Sequence, residues 1–293
     1  MERFDGRVAV VTGGGGGLGR AMGERFAREG MHVVLADVQA DLLAATEREL
    51  RDAGLDVRGV VTDVTNYDSV EALRDRTIEL FGGVHVVCNN AGIGAGAEGR
   101  MWEHELNDWK WAIAVNVMGV VHGINAFVPV MLAQGDEGHV VNTSSGNGGV
   151  SPLPSTPQYA ATKAAVVTIT ECLYGQLLDV GSDVAASVLF PGPHMLRTGL
   201  FESWRSRTDE FAKQRPRVIP YTTVEQVEAQ LTAAGIPIAY TPVEDVAERV
   251  VVALRDKQFW IHADSERIDL QINARAASML ARANPTYLRA VPG

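Results

Sequence analysis

The chain has 293 residues, enough for one or two domains, and 46% of them are hydrophobic, so it can bury a large core. Its formal net charge of −10 argues against nucleic-acid partners and against an anionic membrane surface, both of which call for basic surface. Two cysteines, Cys88 and Cys172, lie in apolar surroundings without a CxxC or Cys/His cluster. That pattern excludes a disulfide framework and a structural zinc site, and predicts buried, reduced thiols in a cytoplasmic protein.

The N-terminal residues 1–5 lack the apolar core of a signal peptide, and no uninterrupted apolar run of about eighteen residues predicts a transmembrane helix. Residues 7–12 read as a buried strand. Five glycines follow, Gly13 to Gly17, and then an amphipathic run at 18–30. Strand, glycine turn and helix in that order bring backbone N–H groups and a helix N-terminus to an anion. The run fits two templates: Gly14, Gly16 and Gly19 as G-x-G-x-x-G, or Thr12, Gly13, Gly17 and Gly19 as T-G-x-x-x-G-x-G. A second strand at 32–37 ends in Asp37, about twenty residues beyond the glycines, where a carboxylate suits a ribose 2′-hydroxyl. A flexible glycine linker is the bland alternative, and the bracketing strand, helix and Asp37 argue against it.

The alternation continues. Helices are predicted at 41–53, from Asn66 or Asp68 to 81, from Asn107 or Asp108 to about 132, and at 157–179. Strands are predicted at 57–61, 84–88, 139–143 and 184–190, short and β-branched as in sheets buried on both faces. Residues 193–240 break the rhythm with prolines and helical pieces at 201–215 and 224–234, too long for a simple connection and suited to a substrate lid. Thr241 reads as the cap of a further helix, 259–262 as a seventh strand, and 264–283 as a C-terminal helix before a loose tail. The expected fold is a Rossmann-type doubly wound α/β domain with a seven-stranded parallel sheet, spanning 1–293 as one unit.

Four further features fall at C-terminal ends of strands or just after them, where open α/β sheets bind ligands. They are Asn89-Asn90-Ala91-Gly92, Ser144-Ser145, Tyr159-Ala-Ala-Thr-Lys163 and Pro191-Gly192. Tyr159 and Lys163 are four apart and share a helix face. An ammonium near a phenol lowers its pKa, which suits the phenol to exchange a proton with an alcohol or carbonyl oxygen. Trp102, Trp109 and Trp111 read as packing anchors, His122 and His139 as structural, and His194 as a solvated loop residue. Met195, Leu196, Phe201, Trp204 and Phe211 either wall a substrate pocket or pack the lid.

Together these motifs resemble the short-chain dehydrogenase/reductase family, over roughly 5–195 and 242–262. The resemblance implies Tyr159 as catalytic acid/base and Lys163 as the residue that binds the nicotinamide ribose and tunes the tyrosine. It implies Ser145 at the substrate oxygen, with Ser144 as the alternative, and Asn116 as the fourth member, whose backbone positions a relay water. Gly13, Gly17, Leu18, Gly19, Asp37, Asp63, Val64, Asn90, Ala91, Gly92, Pro191 and Gly192 would hold the cofactor. The family's nicotinamide threonine position holds Leu196, so Thr198, two residues later, carries that role or another. Asp37 and the absence of a nearby cation imply NAD rather than NADP. The implied reaction is metal-free hydride transfer between NAD(H) and a small alcohol or ketone, of the hydrophobic secondary kind if the lid forms the pocket wall. A sugar or polyol dehydrogenase is the runner-up, and a non-catalytic dinucleotide sensor the reading from another class. A homo-oligomer, tetramer or dimer, is also implied.

Overall fold

A computed structural model describes residues 1–95, 99–215, 223–233, 235 and 237–289. Seven parallel strands form one sheet in the order β3-β2-β1-β4-β5-β6-β7. They are β1 (Val8–Thr12), β2 (His32–Asp37), β3 (Val57–Val61), β4 (Val86–Asn89), β5 (Gly138–Thr143), β6 (Val184–Leu189) and β7 (Trp260–Ile261). The chain winds outward from β1 to β3 and then returns to the other side of β1 with β4. The order therefore reverses between β1 and β4, and the C-terminal edge opens into a crevice there.

Among the described residues, nine helices accompany the strands: α1 (Gly17–Arg28), α2 (Ala40–Asp52), α3 (Tyr67–Phe81), α4 (Leu106–Ile113), α5 (Gly119–Gln134), α6 (Pro157–Asp179), α7 (Val224–Ala233), α8 (Val243–Arg255) and α9 (Glu266–Leu280). On one face of the sheet Met22 and Phe26 of α1 meet Val250 and Leu254 of α8 over Val11 and Leu35. On the other, Leu73 of α3, Phe127 and Met131 of α5, and Leu173 of α6 cover Val10, Val87 and Val140. The central strands are apolar on both sides because both sides are covered. The edge strand β3 departs from that rule: only Val57 is buried, and Val61 faces solvent.

Several boundaries have local causes. Asn66 caps α3 by accepting from the N–H groups of Asp68 and Ser69, and Gly82 at φ 78° ends it. The predicted helix at 107–132 is interrupted. A π-helical turn, Ala114–Met118, joins α4 to α5 and carries Asn116. The combined 29-residue stretch Leu106–Gln134 is long and apolar enough to cross a membrane by composition. The inward face of α5 is nevertheless packed into the sheet core, which accounts for its hydropathy.

Thr241 does not cap α8. Pro242 holds that position, and the Thr241 hydroxyl accepts from the His194 N–H at 3.1 Å. Cys88 is buried and Cys172 is exposed on α6, so only one thiol matches the expectation of burial. Trp111 is buried and Trp109 half-buried, but Trp102 is 78% exposed, on a 3-10 turn ahead of α4 rather than in the core.

The lid is less helical than expected. The predicted piece at 201–215 consists of 3-10 turns, Gly199–Ser206 and Asp209–Phe211. It is pinned to the start of α4. Asp108 pairs with Arg207 at 2.8 Å and Lys213 at 3.1 Å, while Glu105 accepts from the backbone N–H groups of Gln214 and Arg215. Arg207 also lies 4.9 Å over the Trp111 ring. Lid residues 216–222, 234 and 236, and the tail at 290–293, lie outside the described residues.

Helix α5 passes so close to β4 that a Cβ on Gly123 would stand 1.9 Å from Asn89 Oδ1. Asn89 is fixed there by donating to Asn142, which donates in turn to Thr170. Gly123→Ala is therefore expected to destabilise the fold by about 1–3 kcal/mol through overpacking, read as a lower denaturant midpoint.

Candidate active site

The glycine turn resolves which template applies. Gly13 and Gly17 have positive φ, 67° and 50°, the region where glycine carries no Cβ penalty. A Cβ on Gly19 would lie 2.0 Å from the Gly13 carbonyl oxygen. Gly19 is common to both templates, and the positive φ at Gly13 and Gly17 selects T-G-x-x-x-G-x-G. Thr12 braces the turn: its hydroxyl accepts from the N–H groups of Asn90 and Ala91, and the Asn90 amide donates to the Thr12 carbonyl. Helix α1 opens at Gly17 with no acidic residue in its first turn, so its free N–H groups and partial positive charge face the crevice. This cradle fits a pyrophosphate.

Asp37, at the end of β2, accepts from the N–H groups of Gly15 and Gln39. Asp63 accepts from Thr65, and Val64 lines the crevice beside it. Carboxylates at this end repel the 2′-phosphate of NADP and leave room for the free hydroxyl of NAD.

Beyond β4 and β5 lie the catalytic candidates. Lys163 is 3% exposed, and its ammonium donates to the Thr143 carbonyl at 2.8 Å. Burial lowers its pKa to about 8. Its Nζ stands 5.7 Å from the Tyr159 ring centre. Burial raises the pKa of Tyr159, against which a hydrogen bond from Ser145 acts. The sequence reading expected a lowered value. Lys163 donates to the Thr143 carbonyl over the ring face, and at Tyr159 the loss of hydration outweighs the opposing contribution of Ser145.

The two serines part company. Ser145 meets the tyrosine hydroxyl and also accepts from the Asn147 N–H. Ser144 is buried and donates to the Lys163 carbonyl at 2.7 Å, bracing α6. Asn116, fully buried in the π turn, accepts from the Ile93 N–H and donates to the Ile93 carbonyl and Thr162. A Cβ on Gly92 would sit 3.3 Å from both Asn116 Oδ1 and Lys163 Nζ, so this glycine seats the pair.

One cavity of about 580 Å³ joins these parts. Its lining includes the glycine turn, Asp37, Asp63, Asn90-Ala91-Gly92, Ser145, Tyr159, Lys163 and Pro191-Gly192. Thr198 lines it too, packed on Gly17: a Cβ there would meet the threonine side chain at 3.0 Å. The substrate end is apolar, with Leu153, Met195, Leu200, Phe201, Trp111 and Phe211. Of the predicted lid residues, Leu196 also lines it, whereas Trp204 does not. Trp111 thus joins the wall as well as packing. Three lining residues that sequence reasoning missed, Arg267, Ile268 and Gln271, come from α9. Their i, i+1, i+4 spacing was the available signal. His139 is structural as read: buried against Ser187 at 2.6 Å, its pKa is pushed down to about 3 by burial.

The short chain dehydrogenase family model matches residues 7–209. The chain belongs to that family and is an NAD-dependent oxidoreductase of a small organic substrate. It is similar to a short-chain dehydrogenase/reductase from Burkholderia phymatum, solved in complex with NAD, at 40% identity and TM-score 0.87 over 98% of both chains. It is 29% identical to a CLA biosynthesis dehydrogenase/reductase of Lactiplantibacillus plantarum over 89% of each. It is 38% identical to the 1-deoxy-11-beta-hydroxypentalenate dehydrogenase of Streptomyces exfoliatus over 64% of this chain and 66% of that one.

Two outcomes follow from these electrostatics. Asp37→Ala is expected to narrow the preference for NAD over NADP, measured as the ratio of kcat/KM values, by roughly tenfold as the repulsion is removed. Because Lys163 titrates near pH 8 when folded and at 10.5 when unfolded, the unfolded chain binds more protons between those values. Stability of the cofactor-free protein should therefore rise with pH across that window, by at most about 1.4 kcal/mol per unit from this group. Denaturant titrations of Lys163→Met should lack that increment.

Proposed function

We propose that the enzyme interconverts a hydrophobic secondary alcohol and its ketone, with Tyr159 moving the proton. The observation that carries this reading is the meeting of Ser145, Tyr159 and the buried Lys163 ammonium in one cavity, with Lys163 Nζ 5.7 Å from the Tyr159 ring centre. Bound NAD supplies the hydride acceptor. Gly13, Gly17, Leu18 and Gly19 hold its pyrophosphate, and Thr198 closes over them. Asp37 takes the adenosine ribose, Asp63 and Val64 the adenine. Asn90, Ala91, Gly92, Pro191 and Gly192 flank the nicotinamide half.

Ser145 donates to the substrate oxygen and fixes it against the Tyr159 hydroxyl. In oxidation Tyr159, as phenolate, takes the alcohol proton. In reduction it gives a proton to the carbonyl oxygen. Burial favours the neutral phenol, so a nearby positive charge is needed to hold the phenolate, and the Lys163 ammonium is placed to supply it. Asn116 holds the π turn whose backbone would seat a relay water. The apolar side chains of Leu153, Met195, Phe201 and Phe211 in the cavity wall favour an apolar skeleton over a polyol. The hydroxy compound in the name of the Streptomyces relative agrees with this reaction class.

Tyr159→Phe is expected to lower kcat by about 10²–10⁴-fold, the contribution of a positioned acid/base, with NADH binding retained by fluorescence titration. Oxidation rates should rise with pH and reduction rates fall, since one direction needs phenolate and the other phenol. Unchanged turnover in the variant would remove Tyr159 from the mechanism.

A further inference from the structure

The substrate end of the cavity holds a cation that the proposed reaction does not use. Arg267 lines the cavity from the first turn of α9 and is exposed at its mouth. It makes no ion pair among the described residues. The other cations of the cavity and lid are engaged: Lys163 on the Thr143 carbonyl, Arg197 on Glu228, Arg207 on Asp108. Of the acidic residues in the lining, Glu202 pairs with Arg205, while Asp37 and Asp63 lie at the dinucleotide end with backbone and threonine donors. The neighbours of Arg267 in sequence, Asp264, Glu266 and Asp269, do not line the cavity. Asp269, two residues on, projects from the opposite side of the helix.

Helix α9 is held so that this face points inward. Ile268 packs with Val150, Val188 and Phe190, and Arg275 donates to the Val150 carbonyl at 2.9 Å. Arg267, Gln271 and Arg275 are four residues apart and form one stripe, with Gln271 also lining the cavity. The cavity that Arg267 and Gln271 share with Ser145 and Tyr159 is also lined by apolar side chains, Leu153, Phe190 and Met195 among them. An unpaired guanidinium in one cavity with a catalytic centre and apolar side chains suits a ligand with an anion at one end and the reacting carbon at the other. The guanidinium presents paired donors that match a carboxylate. At the mouth such a carboxylate keeps part of its hydration, so pairing there avoids most of the desolvation penalty of a buried ion pair.

We infer that the substrate is an alcohol or ketone whose apolar body ends in a carboxylate, and that Arg267, with Gln271 beside it, receives that carboxylate. This inference rests on the alcohol/ketone reading above and narrows it to hydroxy or oxo acids. Arg267 is a specificity residue. It touches the substrate's far end and takes no part in proton or hydride movement.

The test compares two secondary alcohols that carry a carboxylate, 4-(1-hydroxyethyl)benzoate and 9-hydroxydecanoate, with their methyl esters. Turnover is followed by NADH absorbance, and binding by the fluorescence of the enzyme–NADH complex. At least one acid should exceed its ester by roughly tenfold in kcat/KM, carried in KM, as a charge-assisted contact would give. Arg267→Gln should remove that preference by raising the acid's KM to that of its ester, whereas Arg267→Lys should keep part of it. Esters used as well as acids on both skeletons, or an acid preference that survives Arg267→Gln, would overturn the inference. Absence of turnover with every acid and ester would count against the alcohol/ketone reading instead. The binding titration then decides the inference alone: tighter binding of an acid than its ester, lost in Arg267→Gln, upholds it, and equal binding refutes it.

Discussion

An ammonium buried at the C-terminal edge of the sheet is the constraint around which this site is arranged. Lys163 has almost no contact with solvent, and its pKa falls accordingly. A charge in that position needs fixed oxygens. The Thr143 carbonyl at the end of β5 supplies one directly, and the Asn116 side chain stands close by across Gly92. Ser144 holds the lysine's own backbone carbonyl. These groups come from the end of β5, the loop after β4 and the π turn. The position of one side chain thereby fixes β4, β5, α6 and the π turn relative to one another before any ligand is considered.

Sequence pattern reached the parts of this arrangement that local chemistry determines. The βα alternation, the glycine turn, Asp37, and the Tyr159–Lys163 spacing each depend on neighbours a few residues apart, and the doubly wound parallel sheet follows from repeated right-handed βα units. What escaped depends on contacts between distant segments. Two glycine templates were equally good on paper, and only the positive φ at Gly13 and Gly17 separates them. Two serines were adjacent, and only the packing of α6 turns one away from the tyrosine. The interruption at Asn116 is not announced by a proline: Val115, Asn116 and Val117 are weak helix formers, but such residues also occur within continuous helices. The irregular lid is set by carboxylates of α4, about a hundred residues earlier in the chain, rather than by its own helical composition. The direction of the Tyr159 shift was missed because proximity to an ammonium was counted and loss of water was not.

The two halves of the cavity consequently have different origins. The dinucleotide half is built from turns immediately after β1, β2, β3 and β4, and its chemistry is largely that of the backbone. The substrate half is assembled from α4, the lid and α9, segments joined only by the fold. Its walls are side chains, whose identities are free to vary while the sheet stays as it is. That division explains why the reaction class is readable from motifs, whereas the character of the substrate depends on which residues α9 and the lid bring inward.

The attachment of the lid to α4 has a mechanical result. Asp108 grips Arg207 and Lys213, and Phe211 is buried in a cluster with Trp111, Val115 and Ile93. Asn116 lies about two helical turns further along the same rod. The lid segment and Asn116 are thus mounted on a single lever. A ligand too wide for the pocket would push on Phe211 and strain that lever. Poor fit at one end of the cavity would therefore be felt as misalignment at the other.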